Sequence, residues 1–193
     1  VEDHLREALI RLNPTIAANP DRADDVIYQL RAIIMGVRSD GLVKANEAFA
    51  DWLTGEKSMP FGENGEHVTI KLIDFEDLEQ NQYVVTQQYT FQAGPVTKRA
   101  DLVMLINGIP IVLIEAKTPV RSSQSWLDGA LQVHDDYERN IPELFVPNAF
   151  SIATEGKELR YGSIRMPVEF WGPWRLEDEE AIPSIEAIGN AVN

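Results

Sequence analysis

Three side chains near the ends of one apolar hairpin could do chemistry together: Asp101, Glu115 and Lys117. Two carboxylates and an ammonium brought to one point suit a hard divalent cation such as Mg²⁺, which prefers oxygen ligands and keeps several waters. Beside a phosphodiester, such an ion could polarise the phosphate and lower the pKa of an attacking water. Lys117 could hold or deprotonate that water and offset charge in the transition state. A plainer reading fits the same residues: an Asp/Glu–Lys ion pair closing a strand end. The D…ExK spacing does not separate the two.

What must position these groups is the hairpin itself. Residues 100–106 and 109–116 are apolar runs separated by Asn107-Gly108, a strong turn signal. Register decides whether the three groups meet, because facing side chains alternate with every residue. A strict two-residue turn pairs Asp101 with Ile114, on the opposite face from Glu115. A three-residue loop, Ile106-Asn107-Gly108, pairs Asp101 with Leu113 and puts Asp101, Glu115 and Lys117 on one face. The sequence therefore predicts a bulged turn with Gly108 at positive φ; a bulge further along the strand would serve equally.

Around the hairpin, apolar stripes at helical spacing predict helices over 1–13, 21–36 and within 41–54. Alternation predicts a strand over 67–75, and Val, Thr and Tyr content predicts one over 83–91; 123–139 reads as a helix, and 149–154 as a strand with 157–162 pairing to it across Glu155-Gly156. The tail from Leu176 is acidic and holds Pro183. Helices, then antiparallel strands, then a helix and further strands make an α+β or mixed α/β chain. The hairpin should be central, since both its strands are apolar on both faces.

Bulk properties narrow the function. At 193 residues the chain can bury a sizeable core, and it carries 17 basic against 31 acidic side chains, a formal net charge of −14. Duplex affinity comes largely from Lys and Arg displacing counterions, so strong unaided DNA binding is disfavoured. Absence of cysteine excludes disulfides and thiolate metal sites and fits a reducing, cytoplasmic setting. His4, His67 and His134 show no zinc-ligand spacing. No apolar run approaches the roughly 20 residues of a membrane span. The charged first helix is unlike a signal peptide, and the start at Val1 rather than Met suggests a fragment.

Residues 99–119, RADLVMLINGIPIVLIEAKTP, resemble the nuclease core of type I restriction enzyme R subunits, members of the PD-(D/E)XK superfamily. The matching runs are Arg99-Ala100-Asp101, Asn107-Gly108-Ile109-Pro110 and Glu115-Ala116-Lys117. Ala100 stands where the superfamily name expects proline, a position without chemistry. Likeness extends through 68–75, Trp126, 130–137, 141–145 and 171–175, covering most of 66–175 in the right order.

The resemblance implies a restriction-endonuclease-like fold, a central mixed β-sheet flanked by helices. It implies a nuclease domain over 1–175, with a helical part at 1–60 and a catalytic core at 66–175, and a linker at 176–193 toward motor domains. It makes Asp101, Glu115 and the Ala116 carbonyl ligands of Mg²⁺, and Lys117 the catalytic lysine. Family members often carry a Gln and a Tyr on the next helix with three residues between. Here four separate Gln132 from Tyr137, so on an α-helix Gln132 would point about 100° away, and packing or capping fits both as well. A metal-binding Glu from an early helix would be Glu2 or Glu7; a solvated helix face is the alternative. Arg99 could contact phosphate or pair with an acid, and Trp126, Trp171 and Trp174 read as packing residues.

No G-x-x-x-x-G-K-[ST] loop occurs, so ATP hydrolysis would belong to motor domains elsewhere in the subunit. The implied partners are double-stranded DNA, those motor domains, and specificity and methyltransferase subunits, which would hold the DNA that this acidic chain cuts. Two other readings remain: another PD-(D/E)XK enzyme such as a repair exonuclease or resolvase, and a non-enzymatic acidic DNA mimic.

Overall fold

A computed structural model of the chain describes residues 1–118 and 125–174. The chain divides into two compact units. The first comprises Val1–Val85, Met104–Ile111 and Glu143–Pro147; the second comprises Thr86–Val103, Val112–Pro142 and the described residues from Asn148 on.

The first unit opens with four helices, α1 (Glu2–Leu12), α2 (Pro14–Ala17), α3 (Arg22–Asp40) and α4 (Leu42–Leu53). Their apolar stripes are the buried ones: Leu9 on α1, Val26, Ile27, Leu30 and Val37 on α3, Leu42, Phe49 and Trp52 on α4. The second helix of the sequence runs past residue 36 and stops at Gly41, whose φ of 87° breaks it.

The strand expected over 67–75 is not formed. Only β1 (Ser58–Met59) and β2 (Val68–Thr69) pair, antiparallel. The alternation was a true burial signal, because Ile70 and Leu72 are buried. What replaces a partner strand is asparagine side chains. Asn13 accepts the Lys71 N–H at 2.8 Å and donates to the Lys71 carbonyl at 2.9 Å. Asn81 does the same for Asp74, at 2.9 and 2.7 Å, and Asn107 donates to the Leu72 carbonyl at 2.8 Å. Buried backbone groups need partners but not necessarily a ladder.

The main sheet has six strands in chain order: β3 (Tyr83–Ala93), β4 (Val96–Ile106), β5 (Ile109–Ala116), β6 (Phe150–Thr154), β7 (Leu159–Gly162) and β8 (Gly172–Pro173). The hairpin strands β4 and β5 are interior, as expected. Strand β6 lies parallel to β5, with Val112 opposite Phe150 and Ala116 opposite Thr154. Strands β7 and β8 add antiparallel, and Ser151 faces Gly162 across the 155–156 turn. The chain is α+β, a mixed sheet with flanking helices.

The hairpin turn corrects the sequence analysis. Gly108 has the expected positive φ, 81°, but Asn107 is also left-handed, at 52°. Two such residues between strands ending at Ile106 and starting at Ile109 make a two-residue type I′ turn, not a three-residue bulged loop. Asn107 is locked there. It is fully buried, its N–H donates to the Gln82 carbonyl, and its amide also bonds Asn81, the Gln82 N–H and Arg11. At Gly108 a β-carbon would lie 2.3 Å from the Val1 carbonyl oxygen, so no larger residue fits without a shift.

Between β5 and β6 run α5 (Trp126–Leu131), a π-helical stretch (Gln132–Tyr137), α6 (Glu138–Asn140) and α7 (Pro142–Phe145). A capping box starts α5: the Ser125 hydroxyl accepts the Leu127 N–H and Asp128 accepts the Ser125 N–H. Gly129 lets α5 approach the sheet, since a β-carbon there would sit 3.3 Å from both the Ala153 side chain and the Glu115 carbonyl. Positions 123–124 of the expected helix and the tail from Leu176 lie outside the described residues. No helix among the described residues is long and apolar enough to cross a membrane.

Candidate active site

All the groups of the candidate site lie in the second unit, at the open end of the hairpin. The Lys117 N–H donates to the Thr154 carbonyl of β6 at 2.7 Å. Successive N–H groups along a strand point to opposite sides, so the Ala116 N–H faces β4. There it meets the Asp101 side chain, Oδ2 at 3.0 Å, in place of a main-chain carbonyl. The Asp101 Oδ1 accepts from the Gln88 amide of β3 at 3.2 Å.

These bonds answer the register problem that the two-residue turn leaves. Buried positions on β4 step from Ala100 to Val103 to Leu105, so the strand's faces slip by one residue beside Asp101. On β3 the slip falls at Gln88, which has φ 53°. Irregular strands of this kind re-aim a side chain. The correction lies beside the candidate groups rather than in the turn.

Glu115 is 2% exposed. Its Oε1 accepts from Lys117 Nζ at 3.0 Å, while Oε2 is buried with no hydrogen-bond partner among the described residues. The Asp101 N–H lies close enough to ease the charge but not in hydrogen-bonding geometry with Oε2. Burial pushes the Glu115 carboxyl above the ordinary range; the Lys117 hydrogen bond and charge oppose this, and the Asp101 charge adds to the rise.

Lys117 is held from the helix side. Its ammonium also donates to the Gln132 amide oxygen, the Gln132 amide donates to the Tyr137 hydroxyl, and that hydroxyl donates to the Arg99 carbonyl at 2.9 Å. Burial raises the Tyr137 pKa to about 12, helped by the Glu115 charge, so the phenol stays a donor. Its proton is committed to the Arg99 carbonyl, which fixes the amide so that its oxygen faces Lys117.

Four intervening residues on an α-helix would have sent Gln132 and Tyr137 different ways. Gln132–Tyr137 is instead a π-helical turn, whose i→i+5 bonding brings residues five apart onto one face. The expected 100° divergence is thereby overturned, and these two side chains bond to each other.

Of the remaining candidates, Arg99 is exposed on β4, and Glu7 is exposed on α1. Glu2 pairs with Arg31. No group of three or more His, Cys, Asp or Glu that could hold a metal ion occurs among the described residues. Trp171 is buried with its indole N–H on the Met166 carbonyl; Trp126 lies under the Arg160 guanidinium, 5.2 Å from its ring centre; Trp174 packs with Phe150 and Tyr161. Sequence reasoning missed Gln88. The signal was absent, since a glutamine in a polar, β-rich run marks no bulge.

The arrangement offers two acid side chains and, at the same strand end, the Ala116 carbonyl, which leaves β5 on the same side as the Ala116 N–H. The Oε2 of Glu115 is a buried acceptor lacking a donor, a costly state for a charged oxygen. A cation could satisfy that oxygen as a hydrogen bond would.

Relatives of the chain are found over most of its length. Residues 1–168 match the family model for the type I restriction enzyme R protein N terminus. The type I restriction enzyme HindI endonuclease subunit of Haemophilus influenzae is 31% identical over 183 residues, covering 92% of this chain. A putative type I restriction enzyme endonuclease subunit, MjaIXP, of Methanocaldococcus jannaschii is 28% identical over 183 residues, covering 90%. The chain spans 16% and 17% of the lengths of these two relatives. A match that runs through the helical start, the hairpin and the strands after it places this chain in the family of type I restriction enzyme R protein N termini.

Proposed function

We propose that the chain is the metal-dependent DNA-cleaving module of a type I restriction enzyme, with a PD-(D/E)XK active site at Asp101, Glu115 and Lys117. The observation that carries this reading is the unpartnered buried Oε2 of Glu115, beside a lysine aimed by its own bonding chain.

Asp101, Glu115 and the Ala116 carbonyl would hold Mg²⁺. When bound, such an ion supplies Lewis acidity toward the scissile phosphate and makes a nearby water more acidic. The protein's own part is orientation and charge. An ammonium has three N–H donors, and among the described residues Lys117 uses two, on Glu115 and Gln132. The third can meet the attacking water or a phosphate oxygen, where it offsets developing negative charge. Gln132 and Tyr137 keep the amine from swinging into solvent. Arg99, exposed on the same strand as Asp101, would contact backbone phosphate in this reading.

Double-stranded DNA is the substrate in this reading, and the −14 charge means that other parts of the enzyme hold it. Motor domains of the same subunit would supply ATP-driven movement, and specificity and methyltransferase subunits would choose the site. The compartment is the cytoplasm.

In the assembled enzyme, Lys117→Ala should lower cleavage at least about a thousand-fold, the scale of losing a main transition-state contact. ATP-driven translocation should continue. Cleavage that survives this change would sink the assignment. Mn²⁺ soaked into crystals should appear between Asp101 and Glu115, which an acidic DNA mimic has no reason to show.

A further inference from the structure

Gln88 sits in mid-strand with a left-handed backbone, φ 53°. Residues other than glycine and asparagine seldom adopt this conformation. Exposure along β3 records its effect. Val84 and Thr86 are half-buried, Gln87 and Gln88 are both exposed, and half-burial resumes at Tyr89 and Phe91. In an unbroken strand, residue 88 would share the face of Val84 and Thr86. The slip takes it off that face and puts its amide 3.2 Å from Asp101 Oδ1.

The other Asp101 oxygen is fixed by the Ala116 N–H at 3.0 Å. A carboxylate oxygen has two lone pairs. The amide uses one on Oδ1, which sets the rotation of the whole carboxylate, and leaves the other free. The unpartnered Oε2 of Glu115 belongs to the same site.

We propose that Gln88 is a positioning residue for the cation: the bulge in β3 turns its amide onto Asp101 and fixes that carboxylate in the rotation needed for coordination. This rests on the metal-site reading above. It gives the irregular backbone a purpose, as strained residues near reacting groups often have.

The test measures Mn²⁺ affinity of the 193-residue chain by titration calorimetry, together with its metal-free thermal midpoint. Gln88→Gly removes the amide while suiting φ 53° better than glutamine does. The midpoint should hold or rise, and affinity should fall about ten-fold, the lower end of losses on removing a group that orients a metal ligand. Gln88→Asn tolerates the same backbone but is one methylene too short to reach Asp101, and the same loss is expected. Unchanged affinity in both variants would overturn the proposal, because a purely structural bulge predicts that result. Asp101→Asn separates the two levels. If wild type binds Mn²⁺ and Asp101→Asn does not, the metal site stands and the Gln88 variants alone decide. If wild type does not bind, the site and this inference fall together.

Discussion

The two ends of one hairpin bury polar side chains in opposite ways. At the turn, Asn107 is 0% exposed, and both polar atoms of its amide are used twice: by Leu72 and Asn81 as acceptors, by Gln82 and Arg11 as donors. At the open end, Glu115 is 2% exposed, yet one of its oxygens has no hydrogen-bond partner among the described residues. A saturated network rigidifies a fold, whereas an unsatisfied charged atom weakens it. The contrast is not simply amide against carboxylate. Glu138, also in the second unit, is 1% exposed and satisfied, with Oε2 accepting the Arg165 N–H at 3.0 Å and the Arg165 guanidinium 3.7 Å away. Among the described residues, a buried carboxylate oxygen with no hydrogen-bond partner is found only at Glu115, and there it coincides with a second acid and a tethered lysine.

The sharpest way to break this comparison is to neutralise Glu115. Glu115→Gln should weaken Mn²⁺ binding at least about a hundred-fold, at the strong end of what a lost group at a metal site costs. Metal-free stability should stay level or rise, because a buried charge is removed. A large loss of stability with metal binding intact would reverse the roles assigned to the two ends.

Next in size is Asn107→Ala. It strips four side-chain hydrogen bonds and leaves a left-handed alanine, and should cost about 3–4 kcal/mol in denaturant unfolding. Glu138→Ala should cost about 2–3 kcal/mol by stranding the Arg165 N–H, with Mn²⁺ affinity unchanged. If Glu138→Ala also abolished metal binding, the distinction between the two carboxylates would fail.

Tyr137→Phe should cost about 1 kcal/mol of stability. It should also lower cleavage in the assembled enzyme several-fold, since Gln132 loses its anchor.

The smallest effect is with pH. Burial raises both Glu115 and Glu138, so the folded chain binds their protons more tightly than the unfolded chain does. That contribution to stability is fully present below the ordinary glutamate value of 4.5 and is lost as pH rises through the raised values. Unfolding free energy measured upward from about pH 4.5 should therefore fall less steeply in Glu115→Gln than in wild type. Mn²⁺ affinity of wild type should rise over the same window, as the metal competes with the Glu115 proton. An identical pH slope in the variant would show that Glu115 is not the group responsible.

Much of this protein was legible from residue order. The helical stripes, the Asn107-Gly108 turn and the interior position of β4 and β5 follow from local periodicity and residue chemistry, whereas Asp101, Glu115 and Lys117 were singled out by a family resemblance that their spacing alone does not supply. Period and turn type are properties of a few neighbouring residues, so they survive without knowledge of the fold. The 67–75 segment shows the limit. Its alternation reported burial correctly, but the partner turned out to be the side chains of Asn13, Asn81 and Asn107, which come from elsewhere in the chain.

Only tertiary structure decided how the site closes. The turn took two residues rather than three, because the Asn107 amide is gripped from several sides, and the missing register was made up by slips at Gln88 and beside Asp101. The π-turn that joins Gln132 to Tyr137 depends on bonds to Lys117 and to the Arg99 carbonyl that no local pattern encodes. Sequence determines which groups are available and roughly which strand end they occupy. Their convergence depends on one-residue irregularities, each small in energy beside the whole fold and set by contacts distant in the chain.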